Sequence, residues 1–273
     1  MKTDQAAPST QMEDVQGRVD TRRITINAAG VRDLRHPISF IDRDGDVQNT
    51  VATLNMSVSV PHHVKGAHMS RFVEALGDQS GALSVATMAD LANAMTTRLE
   101  SKRGVIRLSF PWFVSKRAPV SGVVSVMDYQ TTLVVTQNDH DADVQLTVAV
   151  PATSLCPCSK QISDYGAHNQ RSMITLTVGL DPTCDQPLWI EDLIDIAERE
   201  ASSQVYGVLK RPDEKFVTER AYDNPKFVED MVRDLAAPLD ADPRVARYVI
   251  DVENFESIHN HSAFATVECD KTL

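Results

Sequence analysis

Four cysteines in 273 residues are too few for a disulfide scaffold, and a reducing compartment would keep them as thiols. No apolar run approaches the roughly 18 to 20 residues needed to span a bilayer. The N-terminus carries Asp4, Glu13 and Asp14 and lacks the apolar core of a secretory signal. These absences lead to the expectation of a cytoplasmic protein with no membrane partner. Cations are also scarce, with 27 Lys and Arg against 38 Asp and Glu and a net charge of −11. A field of that sign repels polyanions and argues against nucleic acid as a partner. A small anion in a local cationic pocket stays open. There is neither a Gly-x-Gly-x-x-Gly run nor a phosphate-loop signature, so dinucleotide and P-loop readings lack support.

What is present is the composition of a globular chain, 42% apolar and 24% charged, long enough to bury a full core. Leu54, Met56, Val58 and Val60 alternate with Thr53, Asn55, Ser57 and Ser59, which predicts a half-buried strand. Ile106 to Phe110, Val144 to Val150 and Ile174 to Leu180 repeat the pattern, and 122–136, 246–253 and 262–268 are strand-like. Met88, Leu91, Met95 and Leu99 fall at helical spacing, as do Ile190, Ile194, Ala197, Ala201 and Val205. Asn224-Pro225 opens a third helix through Val228, Met231, Val232 and Leu235. The order predicts an α+β fold of antiparallel sheet with helices on one face, arranged as two similar modules. The expected divisions are a flexible leader over 1–20, a first module over 21–153 and a second over 154–273.

The chemistry concentrates in a few runs. Cys156-Pro157-Cys158-Ser159-Lys160 is followed by His168-Asn169-Gln170-Arg171, then by Lys210-Arg211-Pro212-Asp213-Glu214-Lys215 with Glu219 and Arg220. A last cluster holds Glu253, Glu256, His259 and His261. Thiolate, imidazole and carboxylate are the side chains that hold a catalytic transition metal. One rigid residue between two cysteines makes it awkward for both sulfurs to bind one tetrahedral ion. The spacing therefore suggests one ligand thiolate and one free thiol, without saying which is which. His168, twelve residues after Cys156, can return to the same ion. Glu214 and Glu219 in isolation read as a solvated turn, and Glu229 and Asp230 as a polar helix face. His259 and His261 share a face if their segment is extended. Lys65, Arg71 and three histidines (His62, His63, His68) surround a glycine, a pattern that suits either phosphate binding or a plain surface loop. His140 reads as a turn residue, and Cys184 and Cys269 as bland positions.

Taken together these runs resemble the prokaryotic type IB GTP cyclohydrolase I family. The matching segments are Leu34-Arg35-His36-Pro37, Lys65-Gly66-Ala67-His68-Met69-Ser70-Arg71-Phe72 and Ala118-Pro119-Val120-Ser121-Gly122. They continue with Ser154 to Lys160, Tyr165 to Ser172, Leu209 to Lys215, Asn224 to Asp230 and Phe255 to Ala263. Ala67 stands where the resemblance leads one to expect threonine.

The resemblance implies a tunnelling fold of two tandem modules, assembled as a homotetramer. It also implies conversion of GTP and water to 7,8-dihydroneopterin triphosphate and formate, the entry to tetrahydrofolate and 7-deazaguanine synthesis. By that resemblance Cys156, His168, Glu214 and His259 are the metal-proximal set, with zinc, manganese or iron(II) as the divalent ion. Cys158 is the thiol at the reacting base, and His168 or His259 moves protons. Glu229 holds the guanine edge through N1–H and the 2-amino group, while Lys65, His68 and Arg71 are candidates for the triphosphate. Two other readings compete. An NADPH-dependent nitrile reductase of a deazaguanine shares this fold but needs no metal, and His168 and His259 argue against it. A non-enzymatic metal-binding module is disfavoured by the Cys-x-Cys spacing.

Overall fold

The computed structural model describes residues 14–77, 81–139 and 141–273. Along the chain run β1 (Ile26–Ile41), β2 (Val47–Val60), α1 (Met69–Gly77), α2 (Met88–Arg98), β3 (Arg103–Arg117) and β4 (Val124–Asn138). Then follow β5 (Asp141–Leu155), α3 (Pro157–Ile162), β6 (Asn169–Leu180), α4 (Ile190–Glu200), β7 (Ser203–Gln204), α5 (Arg211–Asp223), α6 (Val228–Ala241), β8 (Val245–Phe255) and β9 (Ala263–Asp270). Among the described residues the strands form one sheet in the order β1-β2-β3-β4-β5-β6-β8-β9, with β7 paired to β5. All the pairings between these described strands are antiparallel.

Alternation in the sequence becomes the two faces of this sheet. In β2, Ala52, Leu54, Met56, Val58 and Val60 are buried, while Thr53, Asn55, Ser57 and Ser59 between them are half-buried. The buried face carries the helices, α2 over β3, β4 and β5, α4 over β5 and β6, and α6 over β8 and β9. Phe40, Phe110 and Trp112 meet there with ring centroids 5.2 to 6.3 Å apart. The opposite face carries small hydroxyls that pair across strands, Ser109 with Thr132 at 2.9 Å and Thr147 with Thr177 at 3.0 Å.

The order ββααββ occurs twice, first as β1 to β4 around α1 and α2. It recurs as β5, β6, α4, α6, β8 and β9, with α3, β7 and α5 inserted. This is the α+β plan expected from the sequence. The second set starts with β5, so the boundary expected at 153/154 falls inside that strand. Helix α4 buries Ile190, Leu193, Ile194 and Ala197 but ends at Glu200, short of the expected Val205. Ala201 turns extended, with φ −73° and ψ 160°, and Ser203 and Gln204 pair with β5. The apolar spacing continued because this stretch is still packed, not because it is helical.

Most of the expected leader, 1–13, lies outside the described residues, as does His140. Residues 14–20 are held rather than free. Asp20 donates to the His63 carbonyl, Lys65 to Arg18 and Gly66 to Gln16, at 3.0 to 3.2 Å. No helix among the described residues is long and apolar enough to cross a membrane.

Candidate functional site

Three short segments meet at one end of the second module. Strand β5 ends at Leu155, whose carbonyl accepts from the Lys226 N–H at 3.1 Å. That bond ties the thiol segment to the residue three before Glu229. Cys156 precedes α3 in an extended conformation, and Pro157 starts the helix, its fixed φ suiting the first turn. The Cys156 N–H donates to the His168 carbonyl at 3.2 Å. Between them the chain reverses through Gly166 at φ +109°, a conformation that a side chain would strain. The third segment is the loop after β8, where Ser257 Oγ lies 3.0 Å from His168 Nδ1. One strand step further, Gln170 Nε2 donates to Glu256 at 3.0 Å and Ser172 to Asn254 at 2.6 Å. These cross-strand bonds hold the loop that carries His259 and His261, whose rings stack 5.1 Å apart.

The thiols differ in exposure: Cys156 is half-buried and Cys158 exposed, and both are free. Glu229 is exposed on the first turn of α6. Its neighbour Asp230 makes the helix start, accepting from the Phe227 N–H at 3.1 Å in the manner of a capping residue. The Glu229 carboxylate makes no hydrogen bond or ion pair among the described residues, so it is available to a ligand.

Donor chemistry fits a transition metal here, since sulfur, imidazole nitrogen and carboxylate oxygen suit zinc, manganese or iron(II). The fit is supported at His168, which engages Nδ1 and leaves Nε2 without a partner among the described residues. A single chain does not gather all four expected ligands. Among the described residues no three His, Cys, Asp or Glu side chains are grouped closely enough to hold an ion. Glu214 lies on the first turn of α5, while the other end of that helix reaches α3, where Lys160 bonds the Tyr222 carbonyl. Eight residues of helix separate Glu214 from Tyr222, roughly 12 Å along the axis.

The start of α5 is fixed elsewhere. Asp213 is fully buried and accepts from Val120 N and Ser121 N at 2.8 Å, Ser121 Oγ at 2.6 Å and Lys210 N at 2.9 Å. Burial by itself would raise its pKa; the hydrogen bonds from Ser121, Lys210 and Val120 outweigh burial and hold it well below the usual carboxylate range. A depressed folded pKa means stability that is present above the unfolded value and lost as pH falls. Wild-type stability should therefore decline below about pH 4 through this group. Asp213→Asn should be less stable at neutral pH, with a flatter acid limb in urea titrations run from pH 6 down. Identical acid limbs would exclude Asp213 as a source of the pH dependence. A carboxylate three residues after Lys210 and next to a proline was a readable helix-start signal, although the sequence reading gave the segment to a turn.

The triphosphate candidates sit apart from this cluster within one chain. They follow β2, four strands from β6 in the sheet order, or roughly 19 Å. His68 Nε2 is 3.3 Å from Asp14 and Arg71 is 3.4 Å from Glu100. Both line a cavity of about 150 Å³ with Gly66 and Val60. Sequence reasoning did not single out Ser257, Gln170 or Lys226, whose roles depend on contacts between distant segments.

The chain as a whole is similar to known proteins. Residues 12–265 match the family model described as type I GTP cyclohydrolase folE2. The GTP cyclohydrolase FolE2 of Nitrosococcus oceani is 54% identical over 260 residues, covering 95% of this chain and 96% of that protein. The protein of the same name from Methylobacillus flagellatus is 53% identical over 260 residues, with the same coverage. Among solved structures, uricase from Arthrobacter globiformis superposes with a TM-score of 0.52 at 8% identity, covering 89% of this chain and 93% of that one. Urate oxidase from Bacillus subtilis gives 0.52 at 8%, covering 90% and 99%. At such identity the likeness is one of fold, and it is the tunnelling fold expected from the sequence. Both the family model and the two relatives span nearly the whole chain, which belongs to the type I GTP cyclohydrolase folE2 family.

Proposed function

We propose that this chain hydrolyses GTP at C8 of the guanine, yielding 7,8-dihydroneopterin triphosphate and formate. The observation that carries the reading is the convergence, in a chain of this family, of Cys156, Cys158, His168 and Glu229 at one end of the second module. The Lys226–Leu155 and Cys156–His168 backbone bonds hold them there. The Glu229 carboxylate, exposed and unpaired among the described residues, accepts paired hydrogen bonds from guanine N1–H and the 2-amino group. That anchors the base by its pyrimidine edge and directs its imidazole ring toward the thiol segment. Cys156 and His168 are the metal ligands that one chain brings together, with Glu214 and His259 completing the set. A divalent ion at such donors supplies Lewis acidity and lowers the pKa of water toward neutrality, which the poor electrophile C8 requires. Cys158 meets the reacting base, and His259 moves protons as the ring opens and formate leaves.

Lys65, His68 and Arg71 take the triphosphate. In the free chain Asp14 and Glu100 lie against His68 and Arg71, and a polyanion displaces these exposed carboxylates. The separation of this group from Glu229 within one chain supports a site assembled from more than one copy, a homotetramer by the family resemblance. Exposed Ile162, Tyr165, Phe255 and Ile258 around the site are the apolar surface that such assembly covers. The cytoplasm is the expected compartment.

The test is incubation of protein with GTP and with zinc, manganese or iron(II) in turn. Formate and, after oxidation, fluorescent neopterin are assayed. Equal yields of the two are expected. Formate alone would mean that the reaction stops after ring opening, and neither product with any metal would sink the reading.

A further inference from the structure

The contact between His168 and Ser257 carries more than loop packing. Neutral imidazole has one N–H and one lone pair, and the hydrogen bond made by one nitrogen decides what the other can do. If the Ser257 hydroxyl donates to Nδ1, the proton sits on Nε2 and that nitrogen has no lone pair for a metal. If Nδ1–H donates to Ser257 Oγ, Nε2 carries the lone pair. The 3.0 Å separation admits both. Nδ1 has Ser257 as its partner, so among the described residues the nitrogen left to meet a ligand is Nε2.

The hydroxyl is itself held in place. Ser257 follows Glu256, which accepts from Gln170 Nε2 at 3.0 Å, and Gln170 is buried on the strand that His168 precedes. Two residues on, buried Ser172 donates to Asn254 at 2.6 Å. The three bonds form a ladder from His168 into the sheet, so the orientation of the ring is referred to strands β6 and β8 and not to a free loop. Behind the ring, the Ser159 hydroxyl accepts from the His168 backbone N–H at 3.3 Å and donates to the Cys156 carbonyl at 3.1 Å. The imidazole is thus fixed at its backbone from the Cys156 side and at its ring from the Ser257 side.

We propose that Ser257 is a positioning residue, accepting the Nδ1–H of His168 and thereby presenting the Nε2 lone pair to the metal ion. The inference rests on the reading of His168 as a ligand. Groups that orient a ligating histidine set its tautomer and raise its basicity, and their loss weakens metal binding about 10- to 100-fold.

The experiment measures zinc affinity of the full-length protein by competition with a chromophoric chelator, for wild type, Ser257→Ala, Ser257→Thr and His168→Ala. Ser257→Ala should bind about 10- to 100-fold more weakly, while Ser257→Thr, which keeps the hydroxyl, should stay near wild type. Nitrogen-15 NMR of the metal-free protein, with the His168 resonance assigned from His168→Ala, reads the tautomer. Wild type should show Nδ1–H, and Ser257→Ala should move toward Nε2–H. Wild-type affinity in Ser257→Ala, equal losses in the alanine and threonine variants, or an Nε2–H tautomer in wild type would each overturn the proposal. Unchanged zinc affinity in His168→Ala would instead overturn the ligand reading, and this inference with it.

Discussion

Cys158→Ala is expected to abolish formate release, by a factor of about 10² to 10⁴, while metal content stays near that of wild type. The thiol is exposed in the first turn of α3 and free, one residue beyond a proline that separates it from Cys156. In the proposed site the rigid intervening residue directs the two sulfurs to different tasks. Cys156 lies against the His168 backbone and is half-buried, which suits a ligand. Cys158 is open to an incoming base. Its loss should therefore act on kcat and leave metal bound, whereas Cys156→Ala should lose the metal and activity together. Metal content by atomic emission alongside single-turnover formate release separates the two. Metal lost from Cys158→Ala but retained in Cys156→Ala would reverse the assignments. Full activity in Cys158→Ala would remove the thiol from the chemistry.

The largest expected change in stability belongs to a buried network that does not include the thiols. Lys116 on β3 donates to Glu198 on α4 at 2.7 Å and to the Val205 carbonyl at 2.9 Å, and Tyr129 on β4 donates to the same carboxylate at 2.6 Å. The Lys116 and Glu198 side chains are only 8% and 7% exposed. The ring of Tyr206 lies 4.4 Å from the ammonium. Burial pulls the Lys116 pKa down, against the attraction of Glu198. For Tyr129, burial and then the hydrogen bond to Glu198 push its pKa far up. Taking away one member strands a charge in the interior. Glu198→Ala should cost about 3–5 kcal/mol in urea unfolding, because Lys116 keeps only a carbonyl and a ring face. A well-packed apolar replacement of both, Lys116→Met with Glu198→Leu, should recover most of that loss. A cost below about 1 kcal/mol, the range of an exposed pair, would show that water reaches the pair. The network joins a hairpin of the first module to a helix of the second, so the loss should appear in one cooperative transition.

How much of this was readable in advance depends on where each side chain gets its energy. Strands β2, β5 and β6 bury one face each, and their alternation was plain. So was α2, whose Met88, Leu91 and Met95 are fully buried. Strand β1 was not read as a strand. It lies at the sheet edge, contains Pro37, has two register shifts against β2, and buries only Ile38 and Phe40. An edge with bulges has little alternation to show. Helix α5 was missed for a related reason. It buries only Asp213 and Ala221, so it has no apolar stripe, and its position rests on one buried carboxylate clamped to the turn after β3.

The sequence by itself determined the α+β plan, the family and which residues stand as candidates for the chemistry, because residue type, spacing and order are local properties. Only the tertiary structure decided which of those residues meet. The backbone bond from Lys226 to Leu155 joins segments far apart in the chain with no shared pattern to announce it, whereas the spacing of His168 from Cys156 already allowed those two to meet. The same holds for Ser257 on the ring of His168 and Asp213 on Ser121. Each is a polar contact whose strength depends on distance, direction and exclusion of water, and those exist only after the sheet has closed over its core.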